Sequence, residues 1–253
     1  MSGEAKVVSI LLVLFSGLIL TNSLKNDEVD LAYETVLQTE SIRVKSDDDI
    51  QPVTSGLVKP ILYSEVNTLE ELPPLEEKSR FIDIMLPAIL VARYQINQDL
   101  ERLTSLSNAQ EWSASDSLFL KGLSDSYKTD NLRLLKQRLV THPNSIVLAQ
   151  AAVESGWGRS RFFREANNLF GVWSFDVKES RIQAGSSRKD YQVFLRKYND
   201  ISESIKDYYK NIARHRSYRA FVRKRATSQN VKALVPLLRA YSERGDAYTK
   251  QLL

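Results

Sequence analysis

The hydrophobic positions change rhythm along the chain, and each rhythm predicts an element. Residues 7–20 form an almost unbroken apolar run, VVSILLVLFSGLIL, with Lys6 in front of it. A bilayer-spanning helix needs about 20 apolar residues, and this run is shorter. It fits the hydrophobic part of a signal peptide or a short membrane anchor over residues 1–23. No A-x-A cleavage pattern follows, which favours the uncleaved anchor. Over residues 24–77 the apolar periodicity is lost. Asp47-Asp48-Asp49 and the prolines Pro52, Pro60, Pro73 and Pro74 punctuate a stretch with few aromatics. Such a composition buries too little apolar surface to offset ordering entropy, so it reads as an acidic, partly disordered linker.

From Lys78 onward Phe81, Ile84, Met85, Ala88, Ile89, Ala92, Ile96, Leu100 and Leu103 recur at spacings of three and four. That is the mark of a helix over 78–106, with Pro87 expected to kink it or mark its start. Further helices are predicted over 115–127, 130–140 and 145–155. The last is opened by His142-Pro143-Asn144 and closed by Gly156. Between Leu169 and Tyr198 the period shifts towards two, with Tyr191, Val193 and Leu195 alternating between Gly171, Gly185 and the following turn. This predicts a small hairpin lobe. Helices resume over 202–214, 231–240 and 247–253. The predicted fold class is mainly α (α+β): over residues 78–253, a helical lobe faces a small β-lobe across a groove.

Charge sharpens the division. Residues 26–77 carry 13 acidic and 3 basic side chains, and residues 78–253 carry 17 acidic and 30 basic. A basic domain suits an anionic polymer, whether nucleic acid, lipid surface or cell wall. The densest cluster, Arg214, Arg216, Arg219, Arg223, Lys224, Arg225 and Lys232 with Tyr218 and Phe221 between them, could contact phosphates. An export signal places it away from DNA, so a solvated helical face is the simpler account and nucleic acid is not expected. The chain has no cysteine and only two histidines, His142 and His215, far apart in sequence. Thiolate chemistry is excluded and a histidine metal site is not expected. No phosphate-binding loop or nucleotide fingerprint is present, so no cofactor and no metal are predicted.

Chemistry concentrates in AQAAVESGWGRSRFFREANNLFGVWSF, which runs from Ala149 to Phe175. Glu154 follows Ile146, Val147, Leu148, Ala149, Ala151, Ala152 and Val153 at the end of an apolar helix. A helix C-terminus disfavours an anion, and partial desolvation raises a carboxyl pKa, as a general acid working near neutrality requires. Trp157 could form an apolar wall beside it. On residue chemistry alone, an ordinary surface glutamate at a helix end remains the competing reading.

These residues resemble glycoside hydrolase family 73, the N-acetylglucosaminidases of cell-wall hydrolases. The marks are Glu154-Ser155-Gly156-Trp157-Gly158-Arg159-Ser160 and Asn167-Asn168-Leu169-Phe170-Gly171, then Phe194 to Tyr198, Ile201 to Tyr208, and Ala240 to Tyr248. Within the family the chain is similar to the Bax-like proteins of Gram-negative bacteria, from Phe81-Ile82-Asp83-Ile84-Met85-Leu86-Pro87 to Tyr241-Ser242-Glu243-Arg244-Gly245. The resemblance implies a lysozyme-like fold and cleavage of the β-1,4 bond after N-acetylglucosamine. It implies Glu154 as the acid that protonates the leaving oxygen, and Tyr241 in the cleft positioning a water or the sugar's acetamido group. It also implies peptidoglycan glycan strands as the partner, and the apolar run at 7–20 is expected to hold the chain at the inner membrane on the periplasmic side. Trp157, Asn168, Phe170, Gly171, Trp173 and Tyr248 are the expected substrate contacts.

One position departs from the pattern. The family places a glutamate shortly before the segment matching Phe194 to Tyr198, and here Phe194 occupies it. A glycosidase ordinarily uses two carboxylates, so Asp190 or Glu179, with Asp176 nearby, would have to supply the second, or the substrate's own acetamido group would act as nucleophile. Two rival readings keep the fold: a non-catalytic peptidoglycan-binding scaffold, and a lytic transglycosylase, which also relies on one glutamate but leaves anhydro-sugar ends.

Overall fold

The computed structural model describes residues 37–54, 56–185 and 192–253. The apolar run at 7–20 and the candidate Asp190 lie outside them. Among the described residues no helix is long and apolar enough to cross a membrane.

Helix α1 (Pro74–Leu106) is the axis of the fold. It starts four residues before the apolar rhythm suggested, because Pro73-Pro74 sets the first turn and Glu76 and Glu77 favour the positive end of the helix dipole. Glu77 is buried and paired by both arms of Arg159, the longer contact at 2.7 Å. The helix runs unbroken through Pro87. A proline there costs one backbone hydrogen bond, to the carbonyl of residue 83. Pro87 also lines hollows beside Pro52, Val58 and Pro60, so its ring is packed against the preceding segment.

That segment corrects the linker expectation over residues 37–73. Strands β1 (Glu40–Arg43) and β2 (Ile61–Ser64) pair in parallel, Glu40 opposite Ile61. Val44, Ile50, Ile61, Leu62, Tyr63, Val66 and Leu69 are buried in the same core as Phe81, Ile84 and Ala88 of α1. Asp83 accepts the Val53 amide at 2.8 Å, and the Tyr63 hydroxyl accepts the Gln51 amide at 2.9 Å. The segment is acidic on its outer side, and most of its apolar residues turn inward, with Leu57 the exposed exception at 81%.

Helices α2 (Ala114–Tyr127), α3 (Leu132–Leu139) and α4 (Asn144–Ser155) lie close to their predicted bounds. Ser113 and Asp116 form a capping box on α2. The short α5 (Arg161–Ala166) had no periodic signal, being six residues long. Strands β3 (Trp173–Ser174), β4 (Arg181–Gln183) and β5 (Phe194–Arg196) form an antiparallel sheet in the order β3-β5-β4. Then come α6 (Ile201–Arg214), α7 (Arg219–Arg225), α8 (Val231–Leu234) and α9 (Asp246–Leu252). The predicted helix over 231–240 is divided: after α8 the chain tightens into a 3-10 turn, Val235–Tyr241, at Pro236. Helix α6 buries Ile201, Ile205, Tyr208, Tyr209 and Ile212 and packs along α1. The architecture is mostly helical with a small sheet.

Candidate active site

Glu154 is the penultimate residue of α4, and the turn after it settles its place. Gly156, Trp157 and Gly158 are all left-handed, with φ of 59°, 60° and 87°. Ser155 is buried beneath them, donating to the Ala151 carbonyl (2.6 Å) and accepting from the Gly158 amide (3.0 Å). A Cβ on Gly158 would stand 2.7 Å from Cδ1 of Leu69, so only glycine fits there. The Ser155-Gly156-Trp157-Gly158 turn reverses the chain into α5 and leaves Glu154 at the open end of α4.

The Glu154 side chain faces solvent on one side. The protein around it still raises its carboxyl above the usual range. Burial is the larger cause, opposed by a hydrogen bond from Tyr248 and by the Arg244 guanidinium. A carboxyl held this way keeps its proton closer to neutrality. Three tyrosines surround it. Tyr248 is buried, and its ring stacks on Tyr241 with centroids 5.7 Å apart and planes 8° from parallel. Tyr218 lies 6.1 Å from Tyr241. Burial and then the Glu154 charge raise the hydroxyls of all three, so they stay neutral donors.

Tyr241 also lines a cavity of about 350 Å³ with Phe170, Trp173, Phe175, Arg196 and Tyr208. Trp173 is 55% and Phe175 84% exposed, their ring centroids 6.1 Å apart on the β-lobe. Large apolar faces left open to water on a monomer mark a binding surface, and flat faces of this kind suit pyranose rings. A second hollow of about 440 Å³ runs along α4 between Leu148, Val153, Gly156, Trp157 and Gln251.

The predicted contacts divide accordingly. Tyr241, Phe170 and Trp173 share the cavity, and Tyr248 sits behind Tyr241 on Glu154. Trp157 is half-buried with its ring against the edge of Phe81, 5.6 Å away, and borders the second hollow. Phe170 stacks on Tyr208 at 4.3 Å. Asn168 does not face the groove and is corrected: it is buried, and both amide hydrogens go to carbonyls, of Val172 (3.0 Å) and Arg196 (2.9 Å). Its carbonyl takes the Val172 amide, so its role is to tie the β-lobe to α5. Gly171, at φ 63°, allows the turn there.

Glu179 is likewise occupied. Its oxygens accept from Arg196 (2.7 and 3.2 Å) and from Ser174 (2.9 Å). Arg196 in turn pairs at 2.8 Å with Asp207, which also accepts the Tyr198 hydroxyl. Arg196 therefore holds the β-lobe to α6. Tyr218 and Asp207 were not foreseen. Tyr218 sits among the arginines read as a solvated basic face. Phe221 and Arg225 of that run are buried as well, which corrects that reading for them.

The family profile described as "Mannosyl-glycoprotein endo-beta-N-acetylglucosaminidase" matches residues 131–252. Protein bax of Escherichia coli K12 is 30% identical over 189 residues, 69% of this chain and 67% of that protein. Peptidoglycan hydrolase FlgJ of the same strain is 30% identical over 179 residues, 65% of this chain and about half, 55%, of that protein. Among solved structures, the glycoside hydrolase domain of Salmonella typhimurium FlgJ aligns at 27% identity over 54% of this chain and 82% of that domain, with a TM-score of 0.36. The profile spans Glu154, the Asn167 to Gly171 turn and Tyr241. The similarity to Protein bax, with this profile, shows that the chain belongs to the glucosaminidase family of glycoside hydrolases, family 73.

Proposed function

We propose that this chain is a peptidoglycan hydrolase that cuts the β-1,4 bond after N-acetylglucosamine on a lysozyme-like, two-lobed plan, with Glu154 as the general acid. The observation that carries the reading is the Glu154 carboxyl: exposed at the end of α4, its hold on the proton strengthened by burial, and close to neutral tyrosines. Glu154 protonates the glycosidic oxygen as the bond lengthens, and the resulting carboxylate is received by the Tyr248 hydroxyl. Trp173 and Phe175 stack on sugar rings to one side of the scissile bond. Tyr241 orients the water or the acetamido group.

Of the candidates for the second carboxylate, Asp190 lies outside the described residues and Asp176 is exposed on the β-lobe, accepting the Lys178 amide at 2.9 Å. Glu179 has its lone pairs spent on Arg196 and Ser174. The substrate's acetamido group, attacking its own anomeric carbon, needs only orientation from the protein, and this is the route we assign. The apolar run at 7–20 supports export and retention at the inner membrane, on the periplasmic side.

The test is digestion of purified peptidoglycan by the full chain, wild type beside Glu154→Gln, with mass spectrometry of the released muropeptides. The expected result is fragments ending in reducing N-acetylglucosamine from wild type, and a rate lower by about 10²–10⁴ in the variant. Anhydro ends would make the enzyme a lytic transglycosylase. Wall binding by both proteins with no release would make it a scaffold.

A further inference from the structure

Among the described residues Arg225 is the largest fully buried side chain, 1% exposed, and no ion pair joins it to a carboxylate. A buried, uncompensated cation is costly and needs a reason. Its polar contacts are the Arg138 carbonyl, 2.9 Å from Nη2, and Nδ1 of His142, 3.2 Å from Nη1. A guanidinium has no acceptor, so Nδ1 of His142 must accept. His142 is itself wholly buried. Burial, then the charges of Arg225 and Arg93, hold its imidazole well below its ordinary pKa. It is therefore neutral, with its one proton on Nε2.

The rest follows link by link. Nε2 of His142 donates to the Tyr208 hydroxyl at 3.0 Å. With its oxygen taken as an acceptor, that hydroxyl donates to Oε1 of Gln150 at 2.5 Å. The Gln150 amide is thereby oriented, and Nε2 donates to the Tyr248 hydroxyl at 2.9 Å. The Tyr248 proton is left free of these links, and the carboxylate that acts on that hydroxyl is Glu154, one turn of α4 beyond Gln150. His142, Gln150, Tyr208 and Tyr248 are each at most 1% exposed, so water does not compete at any link. Every donor along this path points the same way, from a permanent cation in the core towards the exposed end of α4. Hydrogen bonds in such a series polarise one another.

We propose that Arg225, His142, Tyr208 and Gln150 are positioning residues for Glu154: a one-way chain of hydrogen bonds that fixes the Tyr248 hydroxyl as a donor to its carboxyl. The proposal deepens the reading of Glu154 as the acid and rests on it for its catalytic meaning. Its physical content stands apart, because the chain biases the carboxyl towards its charged form against the desolvation that raises it. Tyr241, Tyr218 and Arg244 also face Glu154, and none belongs to the chain.

The experiment is a carbon-13 NMR titration of the Glu154 carboxyl in the full chain, its resonance assigned by loss in Glu154→Gln. Tyr208→Phe keeps the ring and removes one link, with Gln150 and Tyr248 standing between it and Glu154. The expected result is an upward shift in the Glu154 midpoint on the order of half to one pH unit. Tyr248→Phe should shift it the same way, and the double variant no further than Tyr248→Phe alone. A Tyr208→Phe protein that folds and titrates as wild type overturns the proposal. Should that variant not fold, nitrogen-15 spectra of wild-type His142 decide. The proposal requires the Nε2–H tautomer across pH 5–8, and an Nδ1–H tautomer or an imidazolium overturns it. Neither readout needs glycan cleavage, so a protein with the titration shift but no hydrolysis would sink the proposed function and leave the chain standing.

Discussion

At the scale of single residues, the site depends on groups whose surroundings alter their chemistry. Glu154 is an ordinary carboxylate displaced upward by burial, and the sign of the consequence can be worked out. The general acid must be protonated, so activity falls as pH rises through the raised value. The alkaline limb of the kcat/KM profile should lie above the usual carboxylate range, and a limb at pH 4 would contradict this. Stability also falls as pH rises. A carboxyl raised in the folded state costs stability once pH exceeds that raised value, and nothing below the unfolded one. Glu154→Gln should therefore melt higher than wild type at pH 7 and equally at pH 3. Gly158 offers a backbone counterpart. Its φ is 87°, and Cδ1 of Leu69 lies 2.7 Å from the place an alanine Cβ would take, so Gly158→Ala should destabilise the fold by about 1–3 kcal/mol, measured by urea unfolding. The motif containing these residues was legible because its spacing resembles a known family. The roles of Ser155 and Asn168 were not, since whether a polar side chain faces a ligand or a carbonyl depends on contacts far off in sequence.

Among the elements, Arg196 joins the β-lobe to α6 as Asn168 joins it to α5. Arg196 on β5 joins Glu179 of the loop before β4 to Asp207 on α6. Asp207 is buried, and Arg196→Met would leave its charge to the Tyr198 hydroxyl and to Lys210 at 3.9 Å, so the change should cost roughly 3 kcal/mol by chemical denaturation, at the low end for broken buried pairs. The same change should weaken glycan binding, because Trp173 and Phe175 would lose their fixed distance from Tyr241. A drop in stability with unaltered affinity would show the lobe holds its place without the pair. The helices of this region were legible through apolar spacing, and α2, α3, α4 and α6 lie within two residues of expectation. The element α5 and the division after α8 were not: six residues make too few turns for a period, and Pro236 redirects the backbone where the apolar pattern continues.

For the molecule as a whole, the largest departure from the sequence reading is the stretch before α1. Net acidity and four prolines gave it the composition of a linker, yet composition averages over faces. Val44, Ile50, Ile61, Leu62, Tyr63, Val66 and Leu69 form one inward side, which only the docking on α1 reveals. A chain beginning at residue 75 would uncover Phe81, Ile84 and Ala88, and we expect it to aggregate or to bind the dye ANS, whereas one beginning at residue 37 should unfold cooperatively. The basic and acidic halves thus belong to one core over residues 37–253. The three tryptophans fall in separate parts of that unit: Trp112 beyond the end of α1, Trp157 under the turn beside Lys78, and Trp173 on the open face of the β-lobe. Their placement makes the protein its own optical probe. Trp173 should emit at long wavelength and be readily quenched by acrylamide, and a chitooligosaccharide settling on its ring should shift that emission to the blue, a change that Trp173→Phe would abolish while the signals of the other two indoles persist.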